Sequence, residues 1–202
     1  MRVGCLFGTF DPPHYGHTAV AAHMLAHAGL DAVWLVVSPQ NPFKRGRHLT
    51  PDAIRLELVR RAVEGLEGLE ASGVELDLPK PSYTADALAH MRERWPGHEF
   101  ALIIGSDNLA GFDRWKDPQD ILAHHDLLVY PRPGVELHFE ESAFADHPRV
   151  HVVDAPFLTI SSTRVRDMVS RGQDVGGLVP PGVLAAIRGK GLYQATEDTP
   201  AE

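Results

Sequence analysis

Residues 1–17 read MRVGCLFGTFDPPHYGH, and they contain a predicted strand, a turn and the start of a predicted helix. The apolar run 3–7 predicts a strand, and Gly8 lets the backbone approach a ligand closely where that strand ends. Two prolines then fix a tight turn, after which the apolar spacing predicts a helix over 14–27. A strand that leads through a tight turn into a helix is the first unit of an α/β sheet.

Five further apolar runs, rich in valine, leucine and isoleucine, alternate with segments of helical period. Several of these runs are apolar on both faces, which is typical of parallel strands covered by helices on both sides. The further predicted strands are 32–37, 74–78, 99–104, 127–130 and 150–153. The sequence therefore predicts an α/β fold with a doubly wound, mostly parallel sheet.

The predicted helices follow from apolar period and from start signals such as proline in a first turn. After 14–27 they are one that starts at 51, then 85–95, 118–125, 161–171 and 181–188. Thr84 is expected to cap the helix that follows it. The last two helices have no strand between them, so we expect a C-terminal helical cap on a single domain over 1–193, followed by a flexible tail over 194–202.

Composition and charge restrict the class of partner. The chain is 44% apolar and 23% charged, as in ordinary globular proteins, and its 19 basic against 27 acidic residues give a formal net charge of −8. This balance disfavours a general nucleic-acid or anionic-membrane surface, so we expect small-molecule partners, no nucleic acid and no membrane. Any phosphate-binding site must then be local.

Segment lengths and cysteine content bear on the compartment. Apolar runs such as AVWLVV (32–37) are far shorter than a bilayer-spanning segment, and no basic leader precedes a hydrophobic segment at the N-terminus. Cys5 is the only cysteine, so no intrachain disulfide can form, and a thiol in an apolar strand suits a reducing compartment. We therefore expect no export and a cytoplasmic location.

The turn after the first strand is the first candidate site, because the ligand crevice of a doubly wound sheet lies at the carboxyl ends of its strands. Neither G-x-G-x-x-G after the first strand nor G-x-x-x-x-G-K-[ST] occurs, so another pattern must hold a phosphate. The amides of Thr9 and Phe10 can face a ligand there. His14 and His17 share a helix face at the positive end of the helix dipole, which predicts an anion site.

Two alternatives for this histidine pair stay open at this point. The pair can be solvated residues that cap the helix, or it can bind a metal. Against zinc, no third ligand stands at a recognisable spacing, so the sequence predicts no metal site made by the protein alone.

Two segments carry a family resemblance. GTFDPPHYGH (8–17) resembles the G-x-F-x-P-x-H-x-G-H signature of nucleotidyltransferases, and ISSTRVR (160–166) resembles their second signature, I-S-S-T-x-x-R. Within that superfamily the chain is most similar to the bacterial nicotinate-nucleotide adenylyltransferases, with Phe7 where that family usually has a further glycine. The stretches that carry this closer similarity are SPQNPFK (38–44), PSYTADAL (81–88), GSDNLAGFDRWK (105–116) and LVPPGVLAAIRGKGLY (178–193).

The resemblance implies a Rossmann-like nucleotidyltransferase fold and a set of site residues. Those implied in catalysis are His14, His17, Lys44 and Arg166. Those implied in ATP binding are Gly8, Thr9, Phe10, His17, Gly105, Asp107, Ile160, Ser161, Ser162, Thr163 and Arg166. Those implied in binding nicotinate mononucleotide are Thr9, Lys44, Thr84, Trp115 and Arg132.

Each implied role has a simpler structural alternative. The serines of ISST can cradle phosphate with their amides and hydroxyls, or they can only cap the helix. Trp115 can stack on a pyridine ring or belong to the core. Asp107 can accept bonds from ribose or from water around magnesium, or cap a helix. Lys44 and Arg132 can bring positive charge to the cleft, or be solvated loop residues.

The reaction that the resemblance implies is a Mg²⁺-dependent transfer of AMP from ATP to nicotinate mononucleotide, with pyrophosphate released. Mg²⁺ would be held mainly by the ATP phosphates, with Asp107 as a further candidate ligand. Rival acceptors are nicotinamide mononucleotide, phosphopantetheine and flavin mononucleotide, and CTP is a rival donor. A nucleotide sensor without turnover is the rival of another class, and homo-oligomerisation is left open.

Overall fold

The computed structural model describes residues 1–39, 49–131, 142–155 and 159–195. Its strands are β1 (Arg2–Gly8), β2 (Ala32–Val37), β3 (Leu69–Ser72), β4 (Glu99–Gly105), β5 (Leu127–Tyr130) and β6 (Val150–Val152). They form one sheet in the order β3-β2-β1-β4-β5-β6, and every neighbouring pair is parallel. The predicted doubly wound sheet is confirmed, and its order reverses between β1 and β4, where such sheets bind ligands.

The helices cover both faces of this sheet. They are α1 (Tyr15–His27), α2 (Asp52–Val63), α3 (Thr84–Arg94), α4 (Ser106–Leu109), α5 (Pro118–His124), α6 (Ser162–Ser170) and α7 (Pro181–Gly189). Short 3₁₀ turns stand at Val74–Asp77 and Phe112–Arg114. No helix within these described ranges is long and apolar enough to cross a membrane.

The core lies on both sides of the sheet because successive strand residues point to opposite faces. Val3 and Cys5 of β1 pack with α3 and α5, whereas Leu6 packs on the other side, in the cluster that contains Met24 of α1 and Val59 of α2. Burial raises the pKa of the Cys5 thiol far above its usual range, so this cysteine stays protonated.

A third apolar cluster joins the C-terminal helices to the rest of the protein. Val165 of α6 and Val183 and Ile187 of α7 are buried with Leu58 and Ala62 of α2. No strand lies between α6 and α7, so the predicted C-terminal helical cap is confirmed.

The predicted strand 74–78 is wrong. Residues Val74–Asp77 form a 3₁₀ turn, and the third strand is Leu69–Ser72, whose Leu69 pairs with Val33 of β2. The run VELDL alternates like a strand, but Val74 and Glu75 are both buried, which a one-sided strand does not allow. The true strand lies at the sheet edge, where Glu70 is exposed, so its apolar pattern is weak.

The expected cap at Thr84 is also wrong. The backbone at Tyr83 is extended and occupies the N-cap position of α3, and Thr84 is the first helical residue. No side chain caps this end. The rule that threonine precedes a helix therefore misplaced the start by one residue, which is an ordinary error for helix boundaries.

Candidate active site

A cavity of about 490 Å³ opens at the carboxyl ends of β1 and β4. Of the sixteen residues named above as site candidates, Lys44 and Arg132 lie outside the described residues, and the other fourteen all line this cavity. They are Gly8, Thr9, Phe10, His14, His17, Thr84, Gly105, Asp107, Trp115, Ile160, Ser161, Ser162, Thr163 and Arg166. Phe7, where relatives usually have glycine, lines it too.

The turn after β1 is shaped by the packing of Phe10. Its φ is 47° and its ring is buried beside Gly8, where an added Cβ would lie 3.0 Å from the ring carbon Cζ. Glycine at position 8 therefore leaves room for the ring, in addition to any approach of a ligand. The same ring stands edge-on to His17, with 4.9 Å between the centroids.

The two histidines form one stacked unit at the start of α1. His14 is the N-cap residue and is buried. The centroids of the His14 and His17 rings are 3.7 Å apart, and the angle between the ring planes is 25°. A Cβ at Gly16 would lie 2.9 Å from His14 Nδ1, so the glycine between the histidines keeps room for the stack.

A hydrogen bond from the backbone indicates the tautomer of His17. The backbone N–H of His14 donates to Nδ1 of His17 over 3.2 Å. Since Nδ1 accepts, the neutral ring of His17 carries its hydrogen on Nε2. In this tautomer Nε2 is the donor of the His17 ring, at a helix start where the dipole favours anions.

The start of α6 contacts the β1–α1 turn directly. Ser162 Oγ donates to the carbonyl of Pro12 over 2.9 Å, and Arg166 Nη1 donates to the carbonyl of Asp11 over 2.6 Å. Ser161 is the N-cap and accepts from the Arg164 N–H over 3.2 Å. The two signature segments, 150 residues apart between Pro12 and Ser162, therefore form one wall of the cavity.

Trp115, Thr84 and Asp107 lie on other elements of the same cavity. Trp115 is half-buried, 5.3 Å from Phe112 between ring centroids, so it both packs on the core and faces the cavity. Asp107 is exposed and is the second residue of α4, whose N-cap position belongs to Gly105, so the capping alternative for Asp107 is wrong. Within the described ranges, no group of three or more His, Cys, Asp or Glu could hold a metal ion.

Sequence reasoning missed Arg55, which is fully buried behind the cavity. Its guanidinium donates to the carbonyl oxygens of Thr9 (2.6 Å), Ser38 (2.7 Å), Pro39 (2.9 Å) and Thr50 (2.9 Å), and to the carboxylate of Asp52. One side chain thus joins the segments after β1 and β2 to the start of α2. The sequence offered one signal for Arg55. It stands three residues before Leu58 and four before Val59, which places it on the buried face of α2.

Glu75 is a second buried charged group that the sequence did not reveal. Its carboxylate lines the cavity and accepts from Ser38 Oγ at 2.6 Å and from Ser82 Oγ at 2.7 Å. Burial raises the pKa of Glu75, against the opposing effects of the two serine hydrogen bonds and the charge of Arg55. Glu75, Ser38 and Ser82 thus connect the end of β2 to the segment before α3.

Tyr193 connects the C-terminal helical cap to the β1–α1 turn. Its hydroxyl donates to Asp11 Oδ1 over 2.6 Å, and Asp11 Oδ2 accepts from the Thr50 N–H over 3.3 Å. Burial, followed by this bond to Asp11, raises the pKa of Tyr193 beyond its usual range, so the hydroxyl remains a donor. The C-terminal segment therefore supports the backbone of the β1–α1 turn.

Known proteins resemble this chain both in sequence and in fold. Residues 5–168 match the family model described as cytidylyltransferase-like. A Flavobacterium johnsoniae protein named "Probable nicotinate-nucleotide adenylyltransferase" is 41% identical over 194 residues, which cover 96% of this chain and 100% of that protein. A Bacteroides fragilis protein of the same name is 42% identical over 186 residues, 92% and 90% of the two chains.

Among solved structures, the chain resembles Plasmodium falciparum nicotinic acid mononucleotide adenylyltransferase complexed with NaAD. The TM-score is 0.77 at 19% identity, over 95% of this chain and 97% of that one. The same enzyme complexed with APC gives a TM-score of 0.76 at 18% identity, over 95% and 96%. At these identities the likeness shows a shared fold.

Proposed function

The chain belongs to the cytidylyltransferase-like family, and on that premise we propose that it transfers AMP from ATP to nicotinate mononucleotide. The products are nicotinate adenine dinucleotide and pyrophosphate, and the reaction serves NAD biosynthesis. The observation that carries this proposal is the direct contact of the two signature segments along one cavity at the sheet switch point. The names of relatives about 40% identical support the same activity.

The chemistry needs alignment and charge neutralisation more than proton transfer. An oxygen of the mononucleotide 5′-phosphate attacks the α-phosphorus of ATP, and the bond from that phosphorus to the bridging oxygen of pyrophosphate breaks. A phosphate monoester has its second pKa at about 6, so the nucleophile is already ionised at neutral pH and needs no general base. What remains is to hold two mutually repelling anions in line and to stabilise the leaving charge.

His17 and Arg166 supply the donors that this step needs. His17 presents Nε2–H at the start of α1 and donates to phosphate oxygens, because its Nδ1 is occupied by the His14 N–H. His14 is a positioning residue, since its ring stacks on His17 and fixes the plane of that ring. Arg166 adds a permanent positive charge beside the amides at the start of α6.

Mg²⁺ fits the donor set of the cavity. This ion is usually held by one or two carboxylates together with substrate phosphates. Asp107 is an exposed carboxylate of the described lining and lies in the first turn of α4, at the carboxyl end of β4. Asp107 is the residue that would hold the ion together with the ATP phosphates, and the ion would supply charge neutralisation there.

The acceptor is assigned to the part of the cavity lined by Thr84 and Trp115, with the indole against the pyridine ring. Lys44 and Arg132 are proposed to add positive charge to this site from segments outside the described residues. We also propose that the enzyme works in the cytoplasm, where its buried Cys5 thiol stays reduced.

The test is to incubate the protein with ATP, Mg²⁺ and one acceptor at a time, and to measure pyrophosphate release. The acceptors are nicotinate mononucleotide, nicotinamide mononucleotide, flavin mononucleotide and phosphopantetheine, and CTP replaces ATP in a parallel series. We expect the fastest release with ATP and nicotinate mononucleotide. Faster release with another pair overturns the substrate assignment, and binding of ATP without release from any pair overturns the activity.

Two arginines of α6 offer a matched comparison within this assay. Arg166 lines the cavity, whereas Arg164, two residues earlier, is exposed and does not. Arg166→Ala should lower kcat by about 10²-fold, the usual effect of removing a transition-state donor. Arg164→Ala should leave kcat unchanged, and equal losses in the two variants would contradict the role of Arg166.

A further inference from the structure

Lys116 is a cavity residue that has no role in the function proposed above. It follows Trp115 directly and lines the same cavity as Thr84 and Tyr83. Its ammonium lies 2.6 Å and 2.9 Å from the two carboxylate oxygens of Asp86 and 5.3 Å from the centroid of the Tyr83 ring. Lys116 therefore connects the segment after α4 to the first turn of α3.

The position of this lysine gives it a defined charge environment. An ammonium has three N–H groups, and its contacts with Asp86 use two of them. The hydrogen bonds that Lys116 donates to Asp86 raise the pKa of Lys116, so the side chain is cationic throughout the neutral range. Lys116 and Arg166 are the two lysine or arginine side chains in the described lining, and Arg166 is bonded to Asp11 on the α6 side.

The two pyridine mononucleotides differ in one group, which is a carboxylate in the nicotinate form and a neutral carboxamide in the nicotinamide form. A cation near the ring substituent therefore attracts the acid more than the amide, and a neighbouring carboxylate does the opposite. Lys116 places a positive charge at the end of the cavity that Thr84 and Trp115 line, and its partner Asp86, which does not line the cavity, holds a negative charge beside that ammonium.

We propose that Lys116 is a specificity-determining residue, whose charge favours acceptors with a carboxylate on the ring, and that Asp86 moderates this preference. The inference rests on the proposed function, because it assigns the ring to the Thr84 and Trp115 end. Side chains that are 41% and 46% exposed are screened by water, so the effect on the preference is modest.

The quantity to measure is the ratio of kcat/KM for nicotinate mononucleotide to kcat/KM for nicotinamide mononucleotide. Lys116→Gln should lower this ratio by about three- to fivefold, and Asp86→Asn should raise it, because the first change removes a positive charge and the second a negative one. Lys116→Arg keeps the charge and should keep the ratio. Both acceptors are assayed on one preparation, so partial unfolding of a variant cancels from the ratio.

Lys80 supplies the matched control. It is also an exposed lysine paired with an aspartate, Asp52 at 2.8 Å, and it lies just before α3 but outside the cavity lining. Lys80→Gln should leave the ratio at its wild-type value.

The outcomes separate this inference from the function on which it rests. Wild-type protein that releases pyrophosphate with neither acceptor overturns both. Wild-type preference for the acid combined with an unchanged ratio in Lys116→Gln overturns the specificity role alone. Shifts of the same sign in Lys116→Gln and Asp86→Asn would show that the ion pair is only a structural tie between α3 and its neighbour, and would overturn the role as well.

Discussion

Replacing Arg55 with methionine tests how the carboxyl ends of β1 and β2 are held in place. The substitution keeps a long apolar side chain in α2 and removes a guanidinium that is fully buried. Four backbone carbonyl oxygens, those of Thr9, Ser38, Pro39 and Thr50, then lose a donor. The carboxylate of Asp52 loses one partner but keeps Lys80 at 2.8 Å.

The expected loss of stability follows from these contacts. A buried carbonyl that loses its partner costs about 1–3 kcal/mol, and removal of one member of a buried ion pair costs about 3–5 kcal/mol. Asp52 is 32% exposed and retains Lys80, and water can reach some of the loop carbonyls, so the simple sum is an upper bound. We expect Arg55→Met to lower the free energy of unfolding by about 4 kcal/mol, a large part of the ~5–15 kcal/mol of an ordinary domain.

The assay is urea unfolding at 25 °C followed by tryptophan fluorescence, with Arg60→Met as the control. Arg60 lies in the same helix but is exposed, so its substitution should change the free energy of unfolding by less than about 0.5 kcal/mol. An Arg55→Met protein within about 1 kcal/mol of the wild type would show that Arg55 does not hold these segments in place, since water would then replace the guanidinium at little cost.

Two further substitutions test buried groups near the cavity. Because burial raises the pKa of Glu75, the folded state holds this proton to higher pH than the unfolded chain, and stability from this group is lost as pH rises from about 4.5 through the raised pKa. Glu75→Gln should therefore gain stability relative to wild type as the pH rises above about 4.5 in urea unfolding. Tyr193→Phe removes the 2.6 Å bond to Asp11 and should cost about 2 kcal/mol in the same measurement.

Each of these results has a clear opposite. A stability difference between Glu75→Gln and wild type that does not change with pH would mean that Glu75 titrates equally in both states. A Tyr193→Phe variant as stable as wild type would mean that the bond to Asp11 contributes nothing beyond what water provides.

The fold class could be predicted because the central strands are apolar on both faces. Every residue of β2 is buried, so its sequence AVWLVV admits little besides a covered parallel strand. β3 could not be predicted in this way, since an edge strand such as LEAS needs few apolar residues, whereas the neighbouring VELDL alternates without being a strand. The apolar pattern of a short segment indicates which of its residues are buried. Burial alone does not distinguish a strand from a 3₁₀ turn.

The candidate site was predictable where its residues are contiguous in sequence, as in 8–17 and 160–166. Arg55 and Lys116 were missed for a different reason. The role of Arg55 depends on carbonyl groups of loops that only the tertiary fold brings together, and the place of Lys116 depends on the approach of α3 to the segment after α4. Neither contact can be predicted from the spacing of residues along the chain.

The role of the cavity in phosphate alignment is tested by the rate at which His17→Ala releases pyrophosphate from ATP and nicotinate mononucleotide at saturation. This rate is compared with those of wild type and of His27→Ala. His27 is the exposed last residue of α1, so its loss should leave the rate unchanged. We expect a fall of about 10²-fold or more for His17→Ala in a protein that still unfolds cooperatively. A correctly folded His17→Ala protein with a near-normal rate would contradict the claim that this cavity aligns the two phosphates.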